Sequence, residues 1–206
     1  MTTKQKIIEK ALTLFSEKGY EAVTVAQIAE AVDIKAPSLY KHYKSKQDIF
    51  NAILQAMQQR YEEQAAELNM DGSDVNINAA MFSEISEQQL LYMVNELFQY
   101  FVHDEYVCKF RKMLTVEQYK NRELADLYSH QYVDGTLAYH TALFERLIQV
   151  GLLQGDDAKA LAIQFYAPLY FFVTVCDRQP EREPEMLQLL ELHVKQFNKT
   201  YRKGNV

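Results

Sequence analysis

The sequence predicts an all-α protein of about nine helices: an N-terminal three-helix unit followed by a larger helical domain. Three observations predict it. Glycine and proline are scarce, six and four in 206 residues. Apolar residues recur at helical spacing through most of the chain, and alternating strand-like segments are few. Apolar residues make up 48% of the chain, enough to bury a sizeable core.

The first helix is expected from about Lys4 to Lys18, with Ile8, Ala11, Leu12 and Phe15 as its apolar stripe and Gly19 as its stop. Thr24 and Gln27 form a T-x-x-Q capping box opening a second helix, whose stripe is Val25, Ile28, Ala29 and Val32. Asp33 then suits a left-handed turn residue, and Ile34 would fill the space between helices. A third short helix opens at Ala36–Pro37, proline being accepted in a first turn. Its inner side is Ala36, Leu39, Tyr40 and Tyr43; its outer side is Pro37, Ser38, Lys41 and His42. Ser45 to Asp48 is a second capping box, and a fourth helix starts at Lys46.

Charge marks one part of this unit. The chain carries 22 Lys+Arg against 28 Asp+Glu, a formal charge of −6. Yet "KAPSLYKHYKSK", residues 35–46, holds four lysines and no acid. Two short helices joined by a tight turn make a helix-turn-helix, whose second helix enters the DNA major groove. A helix beside phosphates cannot present carboxylates to them. Lys35, Lys41, Lys44 and Lys46 then neutralise phosphates or reach guanine edges, and Tyr40 packs its ring inward with its hydroxyl on a phosphate. A solvated basic loop is the other reading of the lysines alone; the capped helices on either side favour DNA.

These residues also carry a resemblance. "ALTLFSEKGYEAVTVAQIAEAVDI" and "APSLYKHYKSKQDIF" resemble the DNA-binding domain of the tetracycline-repressor (TetR) family, the second stretch matching its Leu-Tyr-x-His-Phe-x-x-Lys signature. Asp33 stands at the usual turn glycine and Tyr43 at the usual phenylalanine. The resemblance covers residues 4–50. It implies phosphate contacts by Thr24, Tyr40, His42 and Lys46, and base reading by Lys35, Ala36, Pro37, Ser38 and Lys41. It further implies a homodimeric, ligand-responsive transcription regulator, most often a repressor, on a palindromic double-stranded operator.

The expected domains are 1–48, DNA-binding, and 49–206, effector-binding and dimerising. The fourth helix is expected to run to about 68, with Ile49, Phe50, Ile53, Leu54, Met57 and Tyr61 inward. A loop is expected over 69–80. Helices follow near 86–103, 105–119, 122–151 with a bend at 134–136, 156–177 and 184–201.

On the 86–103 helix, Tyr92, Asn95, Glu96, Gln99 and His103 form a polar stripe that suits either a solvated face or the lining of a cavity. Phe110, Met113, Tyr119, Tyr132, Tyr139 and His140 are further pocket candidates, chosen because they fall on middle helices; core packing is the favoured role for any one of them. A mainly apolar small effector within 80–178 is expected, from an abundance of 14 tyrosines, 11 phenylalanines and 7 methionines.

Ten of the twelve residues at 165–176 are apolar, so that helix is expected to be buried nearly all round. Its stripe of Leu161, Phe165, Leu169, Phe172 and Val173, with Met186, Leu190, Val194 and Phe197 of the last helix, is expected to form a twofold four-helix bundle between two chains. Histidine spacing predicts no metal site, and no nucleophile or nucleotide motif supports an enzyme or a cofactor. The start of the chain does not resemble a signal peptide, and the run at 165–176 is short for a membrane span. Cytoplasm is therefore expected, with Cys108 and Cys176 buried and inert. The alternative reading is an effector-independent structural or nucleoid DNA-binding protein.

Overall fold

The computed structural model describes residues 1–67 and 74–203. Helices α1 (Thr3–Lys18), α2 (Val25–Ala31), α3 (Ala36–Leu39) and α4 (Lys46–Glu67) are followed by α5 (Val75–Glu84), α6 (Glu87–His103), α7 (Glu105–Glu117), α8 (Arg122–Ser129), α9 (Gly135–Gln149), α10 (Ala158–Cys176) and α11 (Glu183–Tyr201). Among the described residues there is no strand, only a single antiparallel bridge between Leu153 and Arg202. The all-α expectation holds.

Helix α5 is the element that sequence reading missed. Of the loop expected at 69–80, residues 69–73 lie outside the described residues, and the remainder opens a helix. Asp74 Oδ1 accepts from the backbone N–H groups of Asn76 (2.8 Å) and Ile77 (3.3 Å), satisfying two of the helix's orphan donors. The Asn- and Asp-rich composition signalled a cap as well as a loop. The bend expected at 134–136 is a π turn over His130–Asp134 between α8 and α9. A Cβ on Gly135 would stand 2.8 Å from the carbonyl oxygen of His130, so glycine is what lets the wide turn close.

The packing divides into two units, at different places from the 48/49 boundary expected from the sequence. One unit is Met1–Gln64 with Asp104–Tyr128, so it holds α1 to α3, most of α4, and α7. The other is Ala65–His103 with the chain from Ser129 onward.

In the first unit α7 packs along α1. Ile7, Ala11, Leu12 and Phe15 of α1 are buried, as are Val107, Phe110, Met113 and Leu114 of α7. Ile7 takes the place expected for Ile8, which is half-buried. Polar ties fix α7 further. The Tyr106 hydroxyl donates to the Ile53 carbonyl (2.9 Å), and burial pushes that phenol's pKa up. Arg60 pairs with Asp104 at 3.2 Å, and Lys109 Nζ donates to Thr13 Oγ1 at 2.8 Å.

In the second unit α10 lies against α9 and α11. One core cluster joins Leu143, Phe144, Leu147, Leu161, Ala162 and Phe197; another joins Val94, Phe98, Phe172, Val173, Met186, Leu190 and Val194. Phe165 packs against both. Helix α10 has 19 residues and a mean hydropathy of 1.4, so by length and composition it could cross a membrane, contrary to the expectation from its central run. Its apolar stripe is instead built into these two clusters.

Candidate nucleic-acid interface

The site is assembled from local signals. Thr24 caps α2: its Oγ1 accepts from Gln27 N–H (3.3 Å) while Gln27 Oε1 accepts from Thr24 N–H (2.8 Å). Asp33 has φ of 57°, the left-handed turn that its short polar side chain tolerates. The amide of Ile34 then returns to the Ala29 carbonyl at 3.0 Å, locking the turn onto α2. Lys35 is the extended residue before α3, and Pro37 sits in the first turn, where no donor is lost.

Helix α3 is a single turn, too short to hold itself, and is fixed by packing. Leu39 is its fully buried anchor. Around it Lys35, Pro37, Tyr40, Lys41 and Lys44 are exposed, and Ala36, Ser38 and His42 are half-buried. Tyr40 corrects the expectation of an inward ring: it is 51% exposed. One turn of helix does not hold Tyr40 on Leu39's side, so the aromatic joins the outer surface. Tyr43 is half-buried with Lys4 Nζ 5.9 Å from its ring centroid, which adds a cation of α1 that sequence reading passed over. Burial raises the Tyr43 phenol pKa.

Lys46, expected at a phosphate, is tied within the unit. Its Nζ donates to the Tyr20 carbonyl (2.9 Å), lies 4.3 Å from the Tyr20 ring centroid, and stands 3.9 Å from Glu21 Oε2. Asp48 does not face outward as a bare charge. Its amide is capped by Ser45 Oγ and its Oδ2 accepts from Lys44 N–H, both at 3.0 Å. The outer surface from Lys35 to Lys46 is therefore cationic and aromatic, as a groove-reading surface requires.

The pocket candidates are not brought together. Phe110 and Met113 are sealed in the core of the first unit, and Tyr119 is exposed there. In the second unit Gln99 Nε2 donates to Glu183 Oε1 (3.1 Å), and His103 Nε2 lies 2.9 Å from the same oxygen. Tyr92 and Glu96 are exposed on α6, and Tyr92 borders a groove of about 260 Å³ floored by Leu91, Val94, Leu187, Leu190 and Val194. Tyr139, Tyr132 and His140 belong to an aromatic cluster. Tyr132 stacks on Tyr170 at 6.2 Å, and His140 stacks on Tyr166 at 5.6 Å with Phe165 at 5.7 Å. The Tyr139 hydroxyl accepts from Asn78 Nδ2 at 2.8 Å. Burial lowers the His140 pKa, opposed by the hydrogen bond of its Nδ1 to the Thr136 carbonyl.

The interface candidates also need correction. Leu161, Phe172, Val173, Met186, Leu190, Val194 and Phe197 are buried within one chain, with Phe165 and Leu169 packed against the same clusters. The regular stripe faces the chain's own core because a stripe says that a face is buried, not by what. The opposite faces carry Ile163 and Phe171 on α10 and Leu189 and Leu192 on α11, all exposed. Their signal was present in the apolar residues off the main stripe. Cys108 is half-buried rather than buried; Cys176 is buried.

A capped helix, a left-handed turn and an acid-free second helix define a helix-turn-helix domain of the DNA-binding class. Residues 7–53 match the family described as bacterial regulatory proteins of the tetR family. The resemblance to the TetR family is thus borne out over this DNA-binding segment. It is 53% identical over 47 residues to the biofilm operon icaADBC HTH-type negative transcriptional regulator IcaR of Staphylococcus epidermidis, and 55% identical over 47 residues to that of Staphylococcus aureus. Each match spans 23% of this chain and only a quarter of the relative's length. Over the whole chain the fold is similar to a TetR-family structure from Mesorhizobium loti, with a TM-score of 0.69, 20% identity, and 98% and 97% of the two chains covered. It is also similar to SmeT in complex with triclosan, with a TM-score of 0.66, 19% identity, and 100% and 94% covered. SmeT is the repressor of a multidrug efflux pump of Stenotrophomonas maltophilia.

Proposed function

We propose that this chain is a homodimeric transcription regulator, a repressor released from a palindromic operator by a small, mainly apolar effector. The observation that carries the reading is the outer surface of α3: acid-free, held by one buried leucine, and preceded by a tight turn in the TetR pattern. In this reading Lys35, Ala36, Pro37, Ser38 and Lys41 meet base edges in the major groove, while Thr24, Tyr40 and His42 engage phosphates. Lys46 combines a structural tie with a positive charge at the start of α4.

Two further features support the rest of the reading. The exposed apolar residues of α10 and α11 suit a twofold contact with a second copy, which would set two recognition helices on one operator. The aromatic cluster around His140 suits an apolar ligand, as the triclosan complex of SmeT suggests by analogy of fold. An effector acts only by binding the two conformations of the dimer unequally. Work on chromosomal DNA places the protein in the cytoplasm.

The test is footprinting on genomic fragments, followed by release with a panel of apolar compounds. Protection of a palindrome, lost with at least one compound, is expected. Binding that ignores sequence and compounds alike would favour the structural DNA-binding alternative.

A further inference from the structure

The α7–α8 turn is a short cationic and aromatic stretch set between Glu117 and Glu123. Residues 118–122 read Gln-Tyr-Lys-Asn-Arg. Tyr119 is 87% exposed, the most exposed large aromatic among the described residues, and Lys120 and Arg122 are exposed beside it. Lys112, also exposed, lies two turns earlier on α7.

Hydrogen bonds place this turn in the DNA-reading unit. The amides of Lys120 and Asn121 both donate to the Glu117 carbonyl at 2.9 Å, so the turn is pinned to the end of α7. Glu117 is 2% exposed, and its Oε1 accepts the amide of Tyr20 at 3.0 Å. The Tyr20 carbonyl in turn accepts from Lys46 Nζ at the start of α4. The turn and Lys46 thus flank the same residue of the α1–α2 loop, the loop that leads into Thr24. Asn121 Oδ1 accepts from Leu124 N–H at 3.2 Å, which caps α8 and fixes the side where the turn ends. Of the acids nearby, Glu123 and Asp126 are exposed on α8 just after the turn. Glu117 is buried in its bond to Tyr20; Glu21 faces Lys46; Glu123 is close enough to help raise the Tyr20 pKa.

We propose that the α7–α8 turn is an accessory DNA contact, in which Lys120, Arg122 and the Tyr119 hydroxyl engage the phosphate backbone flanking the operator core. This rests on the DNA-binding reading above. Core packing does not explain an aromatic that is almost wholly exposed, whereas tyrosine, lysine and arginine are phosphate-contacting side chains. Such contacts add affinity and salt dependence without sequence preference.

The test compares the wild type, Lys120→Gln/Arg122→Gln and Lys41→Ala on two duplexes, one limited to the footprinted core and one extended on both sides. All three substituted residues are exposed, and circular dichroism checks that folding is unchanged. On the extended duplex the double variant is expected to lower the magnitude of the salt slope by about 1–2, since each phosphate contact contributes about 0.9. On the short duplex it should match the wild type. Equal slopes for the wild type and the double variant on the extended duplex would overturn the accessory contact, while a weakened Lys41→Ala would leave the helix-turn-helix reading standing. Failure of the wild type to bind either duplex would overturn both.

Discussion

Glu117 and Tyr20, 97 residues apart in the chain, are joined by one hydrogen bond: the Tyr20 amide donates to Glu117 Oε1 at 3.0 Å in a buried setting. The residue before Tyr20 is Gly19, at φ of 87°, where a Cβ would come within 2.4 Å of that same oxygen. Tyr20 also meets Phe15 and Phe50 edge-on, each at 5.1 Å, and donates its hydroxyl to Gln47 Oε1 at 2.9 Å. A single loop residue is thus held by α1, α4 and α7 together.

Removing the acceptor should therefore be costly. Glu117→Leu leaves a buried amide without its partner and is expected to destabilise by about 1–3 kcal/mol. Gly19→Ala adds left-handed strain of about 1–3 kcal/mol and a steric conflict with the same carboxylate. Urea denaturation checks both. Unchanged midpoints would show that the loop is held without this contact.

Within the DNA-reading surface, two lysines should behave differently. Lys46→Ala is expected to weaken binding to all sequences alike, because it loosens the loop and removes a charge near the backbone. Lys41→Ala or Ser38→Ala should instead change which operator is preferred, at about 1–3 kcal/mol for each base pair whose contact is lost. Binding to an array of operator variants separates the two. An unaltered preference in Lys41→Ala would refute its place at base edges.

The adjacent phenylalanines of α10 provide a test of assembly. Phe171 is 55% exposed and Leu192 is 62% exposed, so Phe171→Glu or Leu192→Glu should leave a folded monomer. Phe172→Glu should unfold the second unit, because an unpaired buried carboxylate is costly by several kcal/mol. Sedimentation equilibrium with circular dichroism reads both outcomes. A wild-type monomer at micromolar concentration would refute the bundle and, with it, the palindromic operator.

His140 gives stability a pH dependence of defined sign. Burial depresses its folded-state pKa below the ordinary imidazole value of 6.5. The unfolded chain therefore takes up the proton first. Its stabilising contribution is complete above about 6.5 and declines as pH falls from there toward the folded value. His140→Phe, which keeps an aromatic against Tyr166 and Phe165, should flatten this slope in thermal melts between pH 7 and 5. An unaltered slope would assign it to other groups.

What was legible in the sequence was local. The Thr24–Gln27 box, the left-handed Asp33 and the proline entry to α3 depend on residues within four positions of one another and form as read; at the Ser45–Asp48 box Ser45 Oγ caps the Asp48 amide, while Asp48 Oδ2 takes the Lys44 amide in place of that of Ser45. Helix existence was legible for the same reason, since an apolar period reports burial of a face. Three things were not. Ile7 and Ile8 are equivalent to a periodicity argument, and only the packing of α7 along α1 selects Ile7. Phe171 and Phe172 are equally apolar, and only the positions of α6 and α11 decide which is covered by the chain itself. The membership of α7 in the DNA-reading unit rests on Glu117 meeting Tyr20 and Tyr106 meeting Ile53, pairings between distant segments that no local spacing encodes. Sequence by itself determined the elements, their caps and the acid-free reading surface, because these follow from short-range sterics, hydrogen bonding and charge. Tertiary structure decided which apolar faces are core and which remain exposed, because burial is a property of partners brought together only when the chain folds.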